Sequence, residues 1–309
     1  MEAAPLHHAL ADGPEGGQAY WVRAEDGVRI RVGGWQAGKE GTILLFNGRT
    51  EYIEKYGPTA RAFSDEGLST ISVDWRGQGM ADRVASDARL GHVPAFSDYQ
   101  KDAAAFLAAA KALAYPEPYY LLGHSMGGAI GLRALIGGLP VRAAAFSAPM
   151  WGIALPALIS PFRNAIVGSA CAMGLGLAYA PATGPTPYPL KQAFDGNALT
   201  HDPDMYRFLQ DHISAERRFG IGGPSITWLA EAFKETAALM TVPAVPVPAL
   251  SFVGSEESVV DADNIVALTG RWSAGRVSRL EGARHEAMME VPEIRAAFVA
   301  ETSAHFRAA

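Results

Sequence analysis

The sequence predicts an α/β protein whose central sheet is mostly parallel, with flanking helices and an inserted helical cap. Three observations carry this prediction. Short apolar runs alternate with helical segments of roughly ten to fifteen residues along the first half of the chain, a pattern typical of parallel sheets. The alternation stops near Met150 and resumes near Thr241. A Gly-x-Ser-x-Gly motif lies between one predicted strand and the helix that follows it.

The segment before this motif supplies the first predicted strands. Residues 18–36 alternate between polar and apolar and contain the turn Glu25-Asp26-Gly27, which predicts an antiparallel hairpin. Residues 42–46 and 69–75 are short continuous apolar runs, typical of strands that are covered on both faces. The helical spacing of residues 55–67 predicts a helix between these two strands.

The remaining elements follow the same logic. Residues 96–113 form a predicted helix, with Ser97 as its N-cap and Gln100 completing a capping box. The other predicted strands are residues 119–123, 142–149, 245–254 and 275–283, and the other predicted helices end at 136, 272 and 306. We therefore predict a core of residues 1–149 and 241–309, with residues 150–240 inserted as a cap.

Composition and charge limit the function classes. The chain has 309 residues and a net charge of -6, with 49% hydrophobic and 19% charged residues, which is typical of a globular protein with a substantial core. A nucleic-acid-binding protein normally presents a basic face, so we expect no nucleic-acid partner. With one cysteine, the chain has no intrachain disulfide.

The sequence offers no clear targeting or membrane segment. The first residues contain neither a basic nor an apolar stretch, so we expect no secretory signal peptide. Residues 164–190 carry no charge, but their Gly, Ala and Pro content favours a buried or lipid-facing cap helix over a transmembrane span. We expect a cytoplasmic protein, and peripheral contact of the cap with the inner membrane face stays open.

The motif GHSMG, at residues 123–127, has the context of a nucleophile elbow, a sharp turn that holds a serine above the edge of a sheet. Glycines flank the serine because side chains there would collide with neighbouring backbone. At the helix N-terminus, free N–H groups and the helix dipole favour a developing negative charge. We therefore predict that Ser125 is a nucleophile. The alternative is a serine N-cap on an ordinary helix.

A nucleophilic serine needs a base, and the elbow predicts the chain order Ser, acid, His. Of the eight histidines, His285 directly follows the last predicted strand, so we predict it as the base. His124 lies inside the elbow, where its side chain should point away from Ser125. His7 and His8 lie in an N-terminus that we expect to be mobile.

The acid should lie in the loop after the predicted strand 245–254. The candidates are Glu256, Glu257, Asp261 and Asp263. We predict Glu257. Asp261 is the second choice because its position is that of an N-cap for the following helix. A solvated loop carboxylate is the alternative for each of them.

An oxyanion formed at the substrate carbonyl needs hydrogen-bond donors. We predict the main-chain N–H of Met126, the residue after the nucleophile, and that of Arg49, in the loop after residues 42–46. The alternative for this loop is a plain strand-to-helix turn around Gly48.

Taken together, these motifs resemble the α/β-hydrolase superfamily. Within it they resemble the monoacylglycerol lipase and lysophospholipase L2 group, whose domain is also called serine aminopeptidase S33 or hydrolase_4. The resemblance implies an α/β-hydrolase fold and covers nearly all of the predicted core. It runs through TILLFNGRTEYIEKY, STISVDWRGQGMADR, GHVPAFSDYQKD, LLGHSMGG, GSEESVVD and GARHEAMME, and through FGIGGPSITWLAEAF in the cap.

Two positions depart from the pattern of this group. The loop that usually begins His-Gly begins here with Asn47 and Gly48, which should change little because the predicted donors are main-chain N–H groups. Many members have Asp as the acid, whereas this chain offers Glu257, whose longer side chain can still reach a histidine ring. Four further polar residues are predicted to have structural roles: Glu51, Asp74, Arg76 and His92.

The predicted reaction is hydrolysis of a carboxylic ester through an acyl-enzyme. Residues 151–162 and 165–179 of the cap are too apolar to be fully exposed, which favours a lipid ester with a single acyl chain, such as a monoacylglycerol or a lysophospholipid. The sequence contains no metal-binding cluster and no phosphate loop, so we expect no cofactor. The oligomeric state stays open.

Two other classes of function stay open. One is a small-ester esterase or an aminopeptidase-type hydrolase on the same scaffold. An aminopeptidase should offer cap carboxylates to hold the substrate amine, and the candidates are Asp202, Asp204, Asp211 and Glu216. The other class is a binding protein that has lost catalysis.

Overall fold

A central sheet organises the molecule. The computed structural model describes residues 1–156, 158 and 160–309. In this part of the chain nine strands form the sheet: β1 (Glu2–Ala4), β2 (Gln18–Arg23), β3 (Arg29–Trp35), β4 (Thr42–Phe46), β5 (Ser69–Asp74), β6 (Tyr119–His124), β7 (Ala144–Ser147), β8 (Ala249–Gly254) and β9 (Gly275–Leu280).

The strand order is β1-β2-β3-β5-β4-β6-β7-β8-β9. Strands β1, β2, β3 and β5 pair antiparallel, and every pair from β5 across to β9 is parallel. The predicted mostly parallel sheet with flanking helices, the α/β-hydrolase fold, is confirmed.

The helices connect these strands or follow the last one. Those described are α1 (His8–Ala11), α2 (Gly57–Asp65), α3 (Asp98–Ala112), α4 (Met126–Ile136), α5 (Arg163–Ala172), α6 (Tyr188–Lys191), α7 (Pro203–Ala215), α8 (Ile226–Leu239), α9 (Ala262–Thr269) and α10 (Pro292–Arg307). Short 3₁₀ helices lie at Ile53–Tyr56, Ser160–Phe162, Arg217–Phe219 and Ala287–Met289.

Strand β4 shows why the sheet is covered on both faces. Leu44 and Phe46 are buried in the cluster that contains Phe106 of α3. Ile43 and Leu45 point to the opposite face and are buried in the cluster that also includes side chains of α2 and α10. Because alternate residues of a strand face opposite sides, a continuous apolar run is what such a strand requires.

Between β7 and β8 the described residues contain only helices and isolated bridges. The segment holds α5, α6, α7 and α8. The boundaries 150–240 that we assign to a cap stay a prediction. The uncharged stretch 164–190 does not form one long helix, since α5 ends at Ala172. No helix in the described part of the chain has the length and apolar character needed to cross a membrane.

Two local expectations are wrong. The N-terminus is not loose: β1 pairs with β2, and the His7 main-chain N–H donates to Glu54 Oε1 at 3.1 Å. This pairing depends on β2 and on Glu54, which lie far from the segment in the chain, so the segment alone gives no signal for it. Ser97 does precede α3, but it has helical backbone angles and its side chain makes no capping hydrogen bond, so the predicted capping box does not form.

Candidate active site

Ser125 lies at a strained turn between β6 and α4. Its φ is 51° and its ψ is −120°, a region that non-glycine residues rarely adopt. A Cβ on Gly127 would lie 1.9 Å from the carbonyl oxygen of Phe46, and one on Gly123 would lie 2.9 Å from Cα of Gly128. The flanking glycines therefore allow backbone contacts that any other residue would prevent.

The structure brings Ser125, His285 and Glu257 together. His285 Nε2 lies 3.0 Å from Ser125 Oγ, and His285 Nδ1 lies 2.8 Å from Glu257 Oε2. Because an ionised carboxylate can only accept, Nδ1 carries the proton and Nε2 is free to accept one from the serine hydroxyl. Glu257 Oε1 accepts the main-chain N–H groups of Val259 at 2.6 Å and Val260 at 3.2 Å, which fixes the carboxylate.

Burial and charge act in opposite directions on this pair. Burial disfavours protonation of His285, but the charge and hydrogen bond of Glu257 outweigh burial, so the pKa of His285 is raised above its ordinary value. Burial likewise opposes ionisation of Glu257, yet the charge and hydrogen bond of His285 lower the pKa of that carboxyl. The pair thus favours a negatively charged Glu257 beside a basic imidazole.

The other three candidate acids are engaged or placed elsewhere. Asp261 caps α9, where its side chain accepts the main-chain N–H of Asn264 at 3.1 Å. Glu256 Oε2 lies 3.1 Å from His201 Nε2. Asp263 lies exposed in the first turn of α9. None of the three hydrogen-bonds to His285 in the part of the chain that the structure describes.

The two predicted oxyanion donors lie next to the serine and on the loop after β4. Met126 is the first residue of α4, so its N–H has no intrahelical acceptor. The Gly48 N–H donates to the Glu51 carboxylate, and the Thr50 N–H donates to Gln78 Oε1 at 3.3 Å. Within the described residues, the N–H groups of Met126 and Arg49 donate to no protein acceptor. No contact among these residues therefore competes for either donor.

A buried charged cluster behind His285 was missed by the sequence reasoning. Lys55 Nζ lies 2.5 Å from Glu51 Oε1 and also donates to the carboxylate of Glu286. Tyr56 donates its hydroxyl to Glu51 Oε2 at 2.5 Å. Burial opposes ionisation of Glu51, but Lys55 is the main reason that the pKa of this carboxyl is about 2.

His124 lies against the same cluster. Its ring centroid is 5.0 Å from that of His285, and its Nδ1 lies 3.0 Å from the carbonyl oxygen of Ser147, as expected if it points away from Ser125. Its Nε2 lies 3.6 Å from Glu51 Oε1 and 3.8 Å from Glu286 Oε2. Burial lowers the pKa of His124, against the charges of both glutamates.

These residues include a possible ligand set for a cation. One ligand atom each of Glu51, His124 and Glu286 lies within 4.8 Å of the others. The Lys55 ammonium, however, already bonds to both carboxylates. A hard divalent cation would need the same carboxylate oxygens as ligands. The three side chains therefore fit an internal ion pair with Lys55 better than a metal site.

Ser125 and His285 open into a cavity of 340 Å³, within the range of about 300–1,000 Å³ that small-ligand sites usually have. Arg49 and Thr50 from the loop after β4 also line it, as do residues of the charged cluster. Much of the remaining lining is apolar and includes Met150, Ile153, Leu199, Trp228, Leu229 and Val260.

The residues with predicted structural roles make internal contacts. Asp74 accepts Arg31 Nε at 2.8 Å, and Arg76 pairs with Asp102 at 2.8 Å. His92 Nδ1 lies 2.8 Å from Ser225 Oγ, the N-cap of α8. Glu51 also makes internal contacts, with Gly48, Lys55 and Tyr56, and in addition it lines the cavity.

The fold together with this elbow defines an α/β-hydrolase. The family model described as Hydrolase_4, serine aminopeptidase S33, matches residues 37–292. The chain therefore belongs to that family, as the resemblance of its motifs predicts.

Curated relatives cover most of the chain at modest identity. Lysophospholipase L2 of Escherichia coli K12 is 29% identical over 268 residues, covering 82% of this chain and 76% of the relative. Probable lysophospholipase L2 of Haemophilus influenzae is 26% identical over 257 residues, covering 82% and 79%. Among solved structures, a soluble variant of monoglyceride lipase from Saccharomyces cerevisiae in complex with a substrate analog superposes with a TM-score of 0.73. It is 17% identical and covers 96% of this chain and 98% of its own, so it supports the fold alone.

Proposed function

We propose that the protein is a serine carboxylester hydrolase that acts through an acyl-enzyme on lipid esters with one acyl chain. The observation that carries this proposal is the chain of hydrogen bonds from Ser125 through His285 to Glu257 at the wall of a largely apolar cavity. The names of the lysophospholipase L2 relatives support the substrate class, a lysophospholipid or a monoacylglycerol.

In the first half-reaction, Ser125 Oγ attacks the ester carbonyl while His285 Nε2 takes its proton. The N–H groups of Met126 and Arg49 stabilise the oxyanion, a contribution of about 10²- to 10³-fold per donor in other enzymes. His285 then protonates the leaving alcohol, and the acyl group remains on Ser125.

In the second half-reaction, His285 Nε2 takes a proton from a water whose oxygen attacks the acyl carbon. As the bond to Ser125 Oγ breaks, the imidazolium returns this proton to Oγ and the fatty acid leaves. Glu257 holds the ring in the tautomer with the proton on Nδ1 and stabilises the imidazolium that forms at each attack. The free acid and the free serine complete the cycle.

The cap would help the enzyme reach its substrate. Among the exposed apolar side chains of residues 150–240, Phe162, Ile166 and Met173 repeat at helical spacing and are 62%, 50% and 70% exposed. Side chains of this size prefer the acyl boundary of a membrane to water. We propose that this face touches lipid peripherally. Two residues of the adjoining apolar stretch, Ala157 and Ile159, lie outside the described residues.

Vesicle sedimentation tests this contact. The triple substitution of Phe162, Ile166 and Met173 by Ser should release the protein from phosphatidylcholine vesicles. The matched control is Val84→Ser, which removes an exposed apolar side chain from the proposed core. Equal sedimentation of the triple variant and the control would refute membrane contact through this face.

The aminopeptidase alternative has less support. None of the predicted amine-binding carboxylates Asp202, Asp204, Asp211 and Glu216 lines the described cavity. Asp202 pairs with Arg295 at 2.8 Å, and Glu216 pairs with Arg218 at 2.5 Å. Both carboxylates are therefore engaged in ion pairs: Asp202 is buried and Glu216 is partly buried.

Product release from a substrate panel tests the proposal. Wild type, Ser125→Ala and the surface control Ser214→Ala are assayed on a monoacylglycerol, a lysophosphatidylcholine, short and long p-nitrophenyl esters and an amino-acyl anilide. We expect fatty acid release by wild type and the control, and none by Ser125→Ala. Cleavage of only the anilide or the shortest ester would contradict the lipid assignment. If wild type binds lysophosphatidylcholine without turnover, the result would contradict the hydrolase proposal and indicate a binding protein.

A further inference from the structure

The guanidinium of Arg49 is partly buried and has no carboxylate partner among the described residues. Its Nη2 donates to the carbonyl oxygen of Gly222 at 2.6 Å, and its Cζ lies 5.5 Å from the centre of the Trp228 ring. Its Nε is buried without a hydrogen-bond partner. Within the described chain, no salt bridge joins a carboxylate to this guanidinium, which leaves a partly buried positive charge without a counter-ion.

Three other arginines that are buried or partly buried have their donors satisfied by described residues. Arg31 pairs with Glu54 at 2.6 Å and with Asp74 at 2.8 Å, and Arg76 pairs with Asp102. Arg83 has no carboxylate partner in the described residues but donates to four main-chain carbonyl groups. The Arg49 side chain donates to one main-chain carbonyl group among the described residues. Burial accordingly lowers the pKa of Arg49 to about 10, which still leaves it positively charged at neutral pH.

Arg49 is shared by two adjoining cavities. It lines the catalytic cavity together with Ser125, and it also lines a second cavity of 190 Å³. The described lining of the second cavity contains no acidic residue, but it holds a second cation, Lys191. Hydroxyl-bearing side chains of Thr50, Thr183, Thr186 and Tyr188 complete a polar surface there.

We propose that the Arg49 side chain, assisted by Lys191, binds the phosphodiester of a lysophospholipid head group. This assignment rests on the proposed ester hydrolase function. A guanidinium matches phosphate oxygens with parallel N–H donors, and the bond is strengthened by charge. The phosphodiester of a lysophospholipid is separated from the cleaved ester by the glycerol unit, so one loop would contact both groups.

This binding mode has a consequence for specificity. The main-chain N–H of Arg49 would donate to the ester carbonyl oxygen, while its guanidinium would bind the phosphate. A monoacylglycerol offers only a neutral hydroxyl at the corresponding position, so the guanidinium would stay uncompensated when it binds. The enzyme should therefore prefer a lysophospholipid to a monoacylglycerol with the same acyl chain.

The first test measures kcat/KM for lysophosphatidylcholine and for the monoacylglycerol of the same chain length, both as monomers. Arg49→Met removes the charge and keeps the main-chain N–H. We expect the ratio of the two kcat/KM values to fall by about 10- to 100-fold, as for loss of a hydrogen bond to a charged group. Arg49→Lys should keep part of the preference. Arg207→Met, an exposed position on α7, is the matched control and should keep the wild-type ratio.

The second test measures binding without turnover. Glycerophosphocholine, inorganic phosphate and glycerol are compared as inhibitors of a neutral p-nitrophenyl ester. Glycerophosphocholine should compete best, and Arg49→Met should raise its inhibition constant by about tenfold. If inorganic phosphate competes equally well and with the same dependence on Arg49, the ligand is free phosphate and the head-group assignment is wrong.

The outcomes separate this inference from the proposed function. If wild type hydrolyses both lipids and folded Arg49→Met keeps the ratio, the side-chain assignment fails and the hydrolase proposal stands. If wild type hydrolyses neither lipid, both fail. Should Arg49→Met not fold, Lys191→Met replaces it, because Lys191 is exposed and its loss should lower the same ratio by a smaller factor. An unchanged ratio there would overturn the assignment.

Discussion

Lys55 offers the sharpest test of the buried charged cluster. Its ammonium is 2% exposed and bonds to the carboxylates of Glu51 and Glu286, which are 6% and 7% exposed. Lys55→Met keeps a side chain of similar length but removes the charge. Two buried carboxylates would then face each other with no cation between them.

The size of the effect follows from the pKa of Glu51. Burial alone would raise that pKa, but Lys55 and its neighbours bring it down from 4.5 to about 2, which corresponds to ~3 kcal/mol. Breaking a buried ion pair by removing one partner typically costs ~3–5 kcal/mol. We expect Lys55→Met to lower the free energy of unfolding by an amount in this range.

The loss should depend on pH with a definite sign. In wild type, the depressed pKa of Glu51 gives stability above the unfolded-state pKa, which is lost only as pH falls towards about 2. Without Lys55, burial and the charge of Glu286 would raise the folded-state pKa of Glu51 instead. Folding would then favour the protonated form of Glu51, so the free energy of unfolding of Lys55→Met should fall as pH rises.

Urea unfolding followed by tryptophan fluorescence measures the free energy of unfolding of wild type and Lys55→Met at about pH 5 and about pH 8, within the range where buried carboxyl pairs titrate. The control is Lys111→Met, exposed in the last turn of α3. A difference from the control that is under ~0.5 kcal/mol at both pH values, the usual size for surface substitutions, would refute the reasoning.

Three further predictions concern the site. The raised pKa of His285 means that the neutral base is lost as pH falls, so kcat/KM should drop below a midpoint above 6.5, checked by a pH–rate profile. A midpoint below 6.5 would contradict this. Glu257→Gln should lower kcat by about 10⁴-fold and lower that midpoint, because the carboxylate that orients the His285 ring and favours its protonated form is gone. An unchanged pH–rate profile would reject Glu257 as the acid. Gly127→Ala places a Cβ 1.9 Å from the Phe46 carbonyl oxygen, and we expect ~1–3 kcal/mol of destabilisation with a large loss of kcat. Gly168→Ala, on the exposed side of α5 with nothing within 4 Å, is its control and should stabilise slightly; equal melting temperatures for the two variants would count against the close contact.

The elements that sequence reasoning places correctly are those with a local signal. The continuous apolar run of β4 predicts a strand buried on both faces, and GHSMG between a strand and a helix predicts the sharp turn at Ser125. His285 follows the last strand and Glu257 follows β8. The expected order of serine, acid and histidine along the chain is enough to select these two positions. The structure brings all three side chains within hydrogen-bond distance.

The features that could not be predicted from the sequence depend on contacts between residues that lie far apart in the chain. Lys55 and Glu286 are 231 residues apart, and nothing in the two motifs that contain them indicates that their side chains pair. The side chain of Arg49 meets Gly222 across 173 residues of chain. Ser97 and Gln100 match the sequence pattern of a capping box, yet Ser97 has helical backbone angles and its side chain makes no capping hydrogen bond in the described structure.

Trapping of the acyl-enzyme tests the central claim most directly. Wild type and Ser125→Ala are mixed with a long-chain p-nitrophenyl ester, quenched in acid and analysed by intact-mass and peptide mass spectrometry. We predict that one acyl group appears on wild type, that it maps to Ser125, and that Ser125→Ala carries none. An acyl group on another residue, or turnover by Ser125→Ala at the wild-type rate, would contradict the account.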